Sequence, residues 1–153
     1  MRKIQQIILL VSLVISSSSF AQDAPFNAVQ DLFAAMSAVD HTKMQELVTN
    51  DFQLLEVGEV WDLDDLIKVI NPSEYSRRNY FNVVTTKSNG NTAWISYWNK
   101  ATFTKGDIVN TVVWLESAVL VRSNSSWKIQ MLHSTKINPE KLPKNIVLTE
   151  YKA

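Results

Sequence analysis

AWISYWNKATFTKGDIVNTVVWLESAVLVRSNSSWKIQMLHSTKI, residues 93–137, is the stretch that decides the fold of this chain. It holds three long runs rich in β-branched and aromatic residues, at 93–104, 108–122 and 127–137, and short polar segments separate them. Such runs, bounded by turn residues, predict consecutive antiparallel strands. A fourth run at 78–87 precedes Asn89-Gly90, a pair that strongly favours a β-hairpin. The second half of the chain is therefore predicted to be a sheet.

The chain before this sheet has helical periodicity. Residues 25–39 begin with a proline that suits the first turn, and they place apolar side chains on one stripe: Phe26, Val29, Phe33 and Met36. Asp40 and Asp62 are predicted N-caps of two shorter helices, the first through residue 48 and the second ending at 71–73. Residues 52–60 form a strand between them. Helices followed by a meander predict an α+β fold, a curved antiparallel sheet wrapped around a long N-terminal helix.

The first 21 residues have the layout of a secretory signal peptide. Arg2 and Lys3 precede the apolar run IILLVSLVI at 7–15, and Ser19-Phe20-Ala21 follows as a small-x-small cleavage signal. The run is shorter than the roughly 20 apolar residues that span a bilayer. The sequence predicts cleavage near Ala21, export to the periplasm or the medium, and one domain at 22–153.

The charge of the chain is balanced overall but unevenly distributed. Lys plus Arg and Asp plus Glu each number 15, so there is no basic excess of the kind that binds nucleic acid. Eleven acidic groups lie within 22–74, and eleven basic groups lie within 75–153. This separation indicates either a solvated acidic end opposite a basic end, or a head-to-tail or dimer contact. The absence of cysteine excludes a disulfide framework and thiol chemistry.

Polar residues interrupt rows that alternation predicts to be buried, since alternate residues of a strand share a face. If these rows face the first helix, their polar members converge on one cavity: Glu56, Tyr97, Asn99, Glu116 and His133. A carboxyl in an apolar wall has a raised pKa that suits a general base, and a nearby histidine can move the proton. Glu56 and His133 are the predicted catalytic pair. The alternative is a structural network of buried groups that satisfy one another, which is favoured for Glu116. A bulge in the strand of Glu116 would instead turn this side chain outward.

The opposite face of the strand at 93–104 carries Trp94 and Trp98. Large aromatic residues that face away from the helices form an exposed apolar patch, and such patches mark partner surfaces. We predict a homodimer interface here; the alternative is that the C-terminal tail covers both side chains. The chain has no glycine-rich phosphate loop, nucleophile elbow or HExxH motif, and its two histidines lack metal-ligand spacing. No metal and no cofactor are therefore expected.

Two segments resemble the nuclear transport factor 2-like superfamily, which includes ketosteroid isomerases, SnoaL-type polyketide cyclases and the association domain of calcium/calmodulin-dependent kinase. LFAAMSAVDHTKMQELVTNDFQLLE, residues 32–56, is similar to the helix-helix-strand opening of these proteins. ESAVLVRSNSSWKIQMLHST, residues 116–135, resembles the two closing strands of the kinase association domain. The resemblance covers nearly all of the predicted domain, and it implies a cone-shaped sheet with one internal pocket.

The resemblance also bears on site residues. Glu56 falls where the isomerases carry their general-base aspartate, which implies a role as base. Leu32 stands where the isomerases place a tyrosine that donates to the oxyanion, and removing such a donor typically costs a factor of ~10² to 10³. Met131 replaces a more polar residue before the final histidine. These departures disfavour steroid-type isomerisation, while Leu32, Met36 and Met131 remain predicted pocket residues.

Three functions are therefore expected from the sequence. The first is an exported binding domain that holds a small, partly apolar ligand and dimerises through its sheet. The second is an isomerase, cyclase or dehydratase that uses Glu56 as base. The third is an interaction domain with a filled interior. A pocket of at least ~300 Å³ beside Glu56 and His133 favours the first two functions over the third.

Overall fold

A computed structural model describes residues 24–152 of the chain; the predicted signal peptide lies outside the described residues. Three α-helices precede most of the sheet: α1 (Pro25–Ala38), α2 (His41–Leu47) and α3 (Leu63–Val69). Both predicted aspartate caps are confirmed. Asp40 accepts a hydrogen bond from the Lys43 amide, and Asp62 forms a reciprocal capping box with Asp65. These bonds satisfy amides that a helix N-terminus otherwise leaves unpaired.

Seven strands form one curved, unclosed sheet in the order β2-β1-β6-β5-β4-β3-β7. Their bounds are β1 (Val48–Glu56), β2 (Glu59–Trp61), β3 (Ser76–Asn89), β4 (Thr92–Lys105), β5 (Ile108–Ser123), β6 (Ser126–Ile137) and β7 (Thr149–Tyr151). Every pairing is antiparallel except that of β1 with β6, which is parallel. The α+β class and the sheet around an N-terminal helix are confirmed.

The single strand predicted at 52–60 is two strands. The chain reverses at Val57 and Gly58, both of which have positive φ, and β2 then pairs back on β1. Gly58 tolerates this conformation because it has no Cβ, whereas Val57 adopts it at a steric cost. Glu56 is thus the last residue of β1, directly before the turn of the β1–β2 hairpin.

The core lies between α1 and the concave face of the sheet. Its fully buried side chains come from both layers: Val29, Leu32, Ile95, Leu120 and Ile129. The Phe26 ring packs edge-on against Phe81 and Tyr97, and Phe33 packs against Phe81. The helical stripe read from the sequence therefore packs on the inner rows of β3 and β4, as its spacing predicts.

A bulge in β6 changes which residues face the core. Leu120 pairs with Ile129 and Val119 pairs with Met131, so Gln130 is an extra residue on β6. Trp127 and Ile129 are buried before the bulge, and Leu132 and Ser134 are buried after it. One extra residue shifts the two-residue alternation, and every later side chain changes face.

The C-terminal segment extends the sheet. A 3-10 helix at Pro139–Lys141 follows β6, and β7 then pairs with β3 at the far edge. The Tyr151 hydroxyl donates to Asp31 of α1 at 2.6 Å, which fastens the segment to the first helix. The tail therefore protects an edge of the sheet.

Candidate functional site

A small hollow of about 130 Å³ lies between α1, α3 and the concave face of the sheet. Most of its wall is apolar and comes from both helices and three strands: Phe33, Met36, Leu54, Leu66, Phe103 and Leu132. Trp114 of β5 also contributes. The hollow is smaller than the ~300–1,000 Å³ typical of ligand pockets, so the pocket of at least ~300 Å³ expected from the sequence is not present here, and only a small chemical group fits inside the hollow.

Four polar side chains line the same hollow: Glu56, Arg77, Glu116 and Ser134. They come from the end of β1, the start of β3 and the middles of β5 and β6. Alternation explains why they share a face, since each occupies the inner row of its strand. The hollow thus combines two carboxyl groups and one guanidinium group with an apolar wall.

Glu116 is the most enclosed of these groups. Ser134 Oγ lies 2.6 Å from its Oε1, and Asn99 Nδ2 donates to its Oε2 at 3.1 Å. Burial raises the pKa of Glu116, although hydrogen bonds from Ser134 and Asn99, the nearby Tyr97 hydroxyl and the charge of Arg77 oppose the shift. The raised pKa favours the protonated carboxyl, which is able to donate a hydrogen bond.

Tyr97 is paired directly with Glu116 across β4 and β5 and is fully buried. Burial, followed by the charge of Glu116, raises the Tyr97 pKa well above its usual value. The hydroxyl lies near enough to affect the carboxyl, but it has no hydrogen-bond partner of standard geometry, and the same holds for Asn99 Oδ1. Unpaired buried polar atoms are costly in a purely structural core.

Arg77 is half-buried at the rim of the hollow. Its Cζ atom lies 5.4 Å from the ring centroid of Phe33 and 5.5 Å from that of Phe103. Its Nε donates to Asn79 Oδ1 at 2.8 Å, and Asn79 in turn donates to Ser37 Oγ. Burial lowers the pKa of Arg77 to about 10, against the charges of Glu116 and Glu56, so the guanidinium is still protonated at neutral pH.

A wider cleft of about 410 Å³ adjoins the hollow. The two share Met36, Arg77 and Phe103, while the rest of the cleft is formed by the ends of α1 and α3 and the segment that follows α3. Arg77 and its two neighbours therefore stand between the internal hollow and the outside.

The predicted inward residues are brought together only in part. Met36, Glu56 and Glu116 line the hollow, and Glu116, whose orientation the sequence left open, is buried and hydrogen-bonded to Ser134 and Asn99. Tyr97 and Asn99 lie behind Glu116, buried but outside the wall of the hollow. Leu32 is fully buried in the core and does not line the hollow either.

The predicted inward orientation of Met131 and His133 is wrong. Because Gln130 bulges, both side chains lie on the convex face, where His133 is exposed. His133 and Glu56 instead share an outer groove of about 480 Å³ beside the β1–β2 turn. The two residues therefore do not form a pair inside the hollow.

The two tryptophans lie on the convex face as predicted. Trp94 is 45% exposed, and Trp98 is partly exposed and pairs with Leu115, which is 40% exposed. The C-terminal segment leaves Trp94 open because β7 lies at the other side of β3. An apolar surface therefore covers the middle of the convex face.

Sequence reasoning missed Arg77, Phe103, Trp114 and Ser134. Asn79 and Phe81 follow Arg77 by two and four residues, and both are buried in the row of β3 that Arg77 shares. A strand predicted from 78 left out this residue, and an earlier start would have placed it on the inner face. Ser134 was missed because the bulge reversed its predicted orientation.

Two further observations concern residues 24–152. No helix in this range is long and apolar enough to cross a membrane. The acidic and histidine side chains of the same range form no group of three or more that could hold a metal ion.

No family model and no curated protein sequence matches the chain. Solved structures do match. A ketosteroid isomerase-like protein from Erwinia carotovora atroseptica has a TM-score of 0.61 at 18% identity, covering 79% of this chain and 99% of its own. The association domain of CaMKII from C. elegans has a TM-score of 0.60 at 14% sequence identity, and the match covers 71% of this chain and 90% of that domain. An NTF2-like protein of unknown function in nutrient uptake from Rhodospirillum rubrum has a TM-score of 0.64 at 15% sequence identity, and the match covers 76% of this chain and 100% of that protein. The chain therefore has the nuclear transport factor 2-like fold.

Proposed function

We propose that the domain binds a small, partly apolar molecule in the hollow beneath α1. The observation that carries this proposal is that an apolar hollow contains a half-buried guanidinium with free donors beside an enclosed carboxyl. Polar groups buried for structure alone are expected to satisfy one another. Groups left open towards a hollow are typical of sites that orient a ligand.

The volume limits the ligand. An apolar cavity of about 150 Å³ in another protein accommodates benzene, so the 130 Å³ hollow takes a group of about that size. The remainder of a larger ligand would lie in the adjoining cleft, which shares Met36, Arg77 and Phe103 with the hollow. The ligand would therefore be a small molecule, or a longer one with a small buried end.

Native mass spectrometry of freshly purified protein, with and without added phenol or benzamide, tests the proposal. The wild type is expected to retain or bind one small molecule per chain. Met36→Trp fills the hollow and should weaken binding at least about tenfold. Val60→Trp adds the same bulk at an exposed site outside the hollow and should leave binding unchanged. A wild type that binds none of these compounds and carries no molecule contradicts the proposal.

A second candidate is an isomerase, cyclase or dehydratase. The specific observation in its favour is that Glu56 lines the same hollow as Glu116, whose raised pKa favours the protonated form. A carboxylate base and a carboxylic acid that face one substrate suit proton abstraction followed by reprotonation. One solved structure with this fold is a ketosteroid isomerase-like protein.

Conversion of cyclohex-3-enone to cyclohex-2-enone, followed by absorbance, tests the enzymatic candidate. If Glu56 is the base, Glu56→Gln lowers the rate by at least about 100-fold, because general-base catalysis contributes ~10²–10⁴. His133→Gln should keep the rate, since this side chain lies on the convex face. A wild-type rate equal to that of buffer removes this candidate.

The domain is also proposed to be exported and to form a homodimer. Export is supported by the basic head and apolar run of residues 1–21. Dimerisation is supported by the apolar convex face around Trp94 and by the hub and association domains among the structural neighbours. Cell fractionation with N-terminal sequencing tests export: a mature chain that begins near Gln22 is expected, and an uncleaved chain in the cytoplasm contradicts it.

A further inference from the structure

Arg77 uses only part of its hydrogen-bonding capacity. Its Nε donates to Asn79, and its Cζ atom lies over the rings of Phe33 and Phe103. Within residues 24–152, no hydrogen bond engages the two terminal nitrogens, and they are not among the fully enclosed unsatisfied atoms. The four N–H donors of the two terminal nitrogens are therefore available, and one from each nitrogen points outward from the end of the plane.

No carboxylate of the described residues forms an ion pair with this guanidinium within 4.0 Å. Glu56 and Glu116 attract it only from farther away. Glu116 is already hydrogen-bonded to Ser134 and Asn99 on its two oxygens. A cation that has been partly removed from water normally gains a hydrogen-bonded anion as partner, and Arg77 has none of its own.

The location of Arg77 decides what that partner would be. Its side chain lines both the apolar hollow and the outer cleft, so an anionic group bound there would have an apolar neighbour on one side and open space on the other. A guanidinium held by aromatic rings and fixed at Nε presents a fork that matches the two oxygens of a carboxylate.

We propose that the site recognises small monocarboxylates, with the carboxylate on the terminal nitrogens of Arg77 and the apolar part of the molecule in the hollow. The inference rests on the ligand-binding function proposed above and specifies its chemical class. Glu56 would oppose the carboxylate electrostatically, which limits affinity and favours ligands with a single negative charge.

Benzoate and benzamide separate this inference from the broader proposal because they have the same shape and differ in charge. Two-dimensional NMR titration of the full mature domain is expected to show benzoate binding at least about tenfold tighter than benzamide. Equal binding overturns carboxylate recognition but leaves a ligand-binding hollow. Binding of neither compound overturns both.

Variants locate the carboxylate. Arg77→Gln should weaken benzoate binding at least about tenfold and leave benzamide within about twofold, whereas Arg78→Gln, at an exposed neighbouring position, should change neither. Glu56→Gln should tighten benzoate binding, an effect that a purely structural residue would not produce. If Arg77→Gln does not fold, Arg77→Lys provides a second test. Lysine keeps the positive charge but lacks the paired nitrogens of the guanidinium, so it should still weaken benzoate binding about several-fold. Benzoate binding that is insensitive to Arg77→Gln or Arg77→Lys and to Glu56→Gln overturns the inference.

Discussion

Glu116 is an acid held in an environment that disfavours its charge. Ser134 and Asn99 bond its two oxygens, while burial raises its pKa. The protonated form is therefore preferred by the folded chain more than by the unfolded chain. In such a case stability is highest below the unfolded-state pKa and decreases as pH rises towards the folded-state pKa.

Glu116→Gln is expected to remove this dependence. In the wild type, the free energy of unfolding should fall as pH rises from about 4.5, the ordinary glutamate value, towards the raised pKa of Glu116. The variant should lose that slope and be at least as stable at pH 8, because an amide can bond the same neighbours without charge. Urea titrations of both proteins at several pH values measure the difference, and parallel pH profiles would contradict it.

At the level of elements, the bulge at Gln130 separates what the sequence could predict from what it could not. Composition and turn residues predicted the helices, the four long strands and the α+β class, and alternation placed Glu56 in a row that reaches the hollow, while the orientation of Glu116 stayed open. The same alternation failed for His133, since one unpaired residue reversed the face of the rest of β6. A bulge depends on the neighbouring strand, so the sequence of β6 alone did not reveal it.

Paired substitutions in β6 test the position of the bulge. Leu132→Ala should lower the free energy of unfolding by about 2–5 kcal/mol, because it opens space in the core. His133→Ala should change it by less than about 0.5 kcal/mol, because this side chain is exposed. Chemical denaturation measures both values. A larger loss from His133→Ala than from Leu132→Ala would show that His133, and not Leu132, faces the core.

The capping box of α3 gives a second test at this level, and it matters because Leu66 of this helix lines the hollow. Asp62→Ala removes the bond that the Asp65 amide donates to the Asp62 carboxylate, while the backbone amide of residue 62 can still donate to Asp65. The change should cost about 1 kcal/mol in the free energy of unfolding. Asp64→Ala removes the same charge in the same turn without removing a cap bond, and it should lower the free energy of unfolding by only about a few tenths of a kcal/mol. Equal losses from the two variants would show that charge alone, and not the cap, stabilises this helix.

At the scale of the whole molecule, the convex face of the sheet carries exposed apolar side chains. Trp94, near the β3–β4 turn, and Leu115 are exposed on it, with Val119 and Met131 partly covered. The sequence predicted this surface from the alternate row of β4. Its use in dimerisation remains a proposal, because an exposed apolar face shows where a partner would bind and not which one.

Trp94→Glu tests the dimer. A charge within the proposed interface should weaken self-association at least about 100-fold, since leaving a buried carboxylate unpaired costs several kcal/mol. Val109→Glu adds the same charge at an exposed position near the other end of β5 and should leave association unchanged. Sedimentation velocity over a range of concentrations measures both. If the wild type sediments as a monomer, the dimer proposal fails.

The parallel pairing of β1 with β6 has a consequence for how the chain acquires its shape. Val48 of β1 lies beside Ile129, some eighty residues later in the sequence, and no earlier strand takes that place. A chain emerging from the ribosome can form the β3–β4–β5 meander first, but the edge that holds β1 appears only with the last long strand. Completion of the fold therefore waits for nearly the whole polypeptide, and closing so large a loop makes folding slow. Such a delay is compatible with the export proposed above, because a chain that stays unfolded for longer can be threaded through a secretion channel.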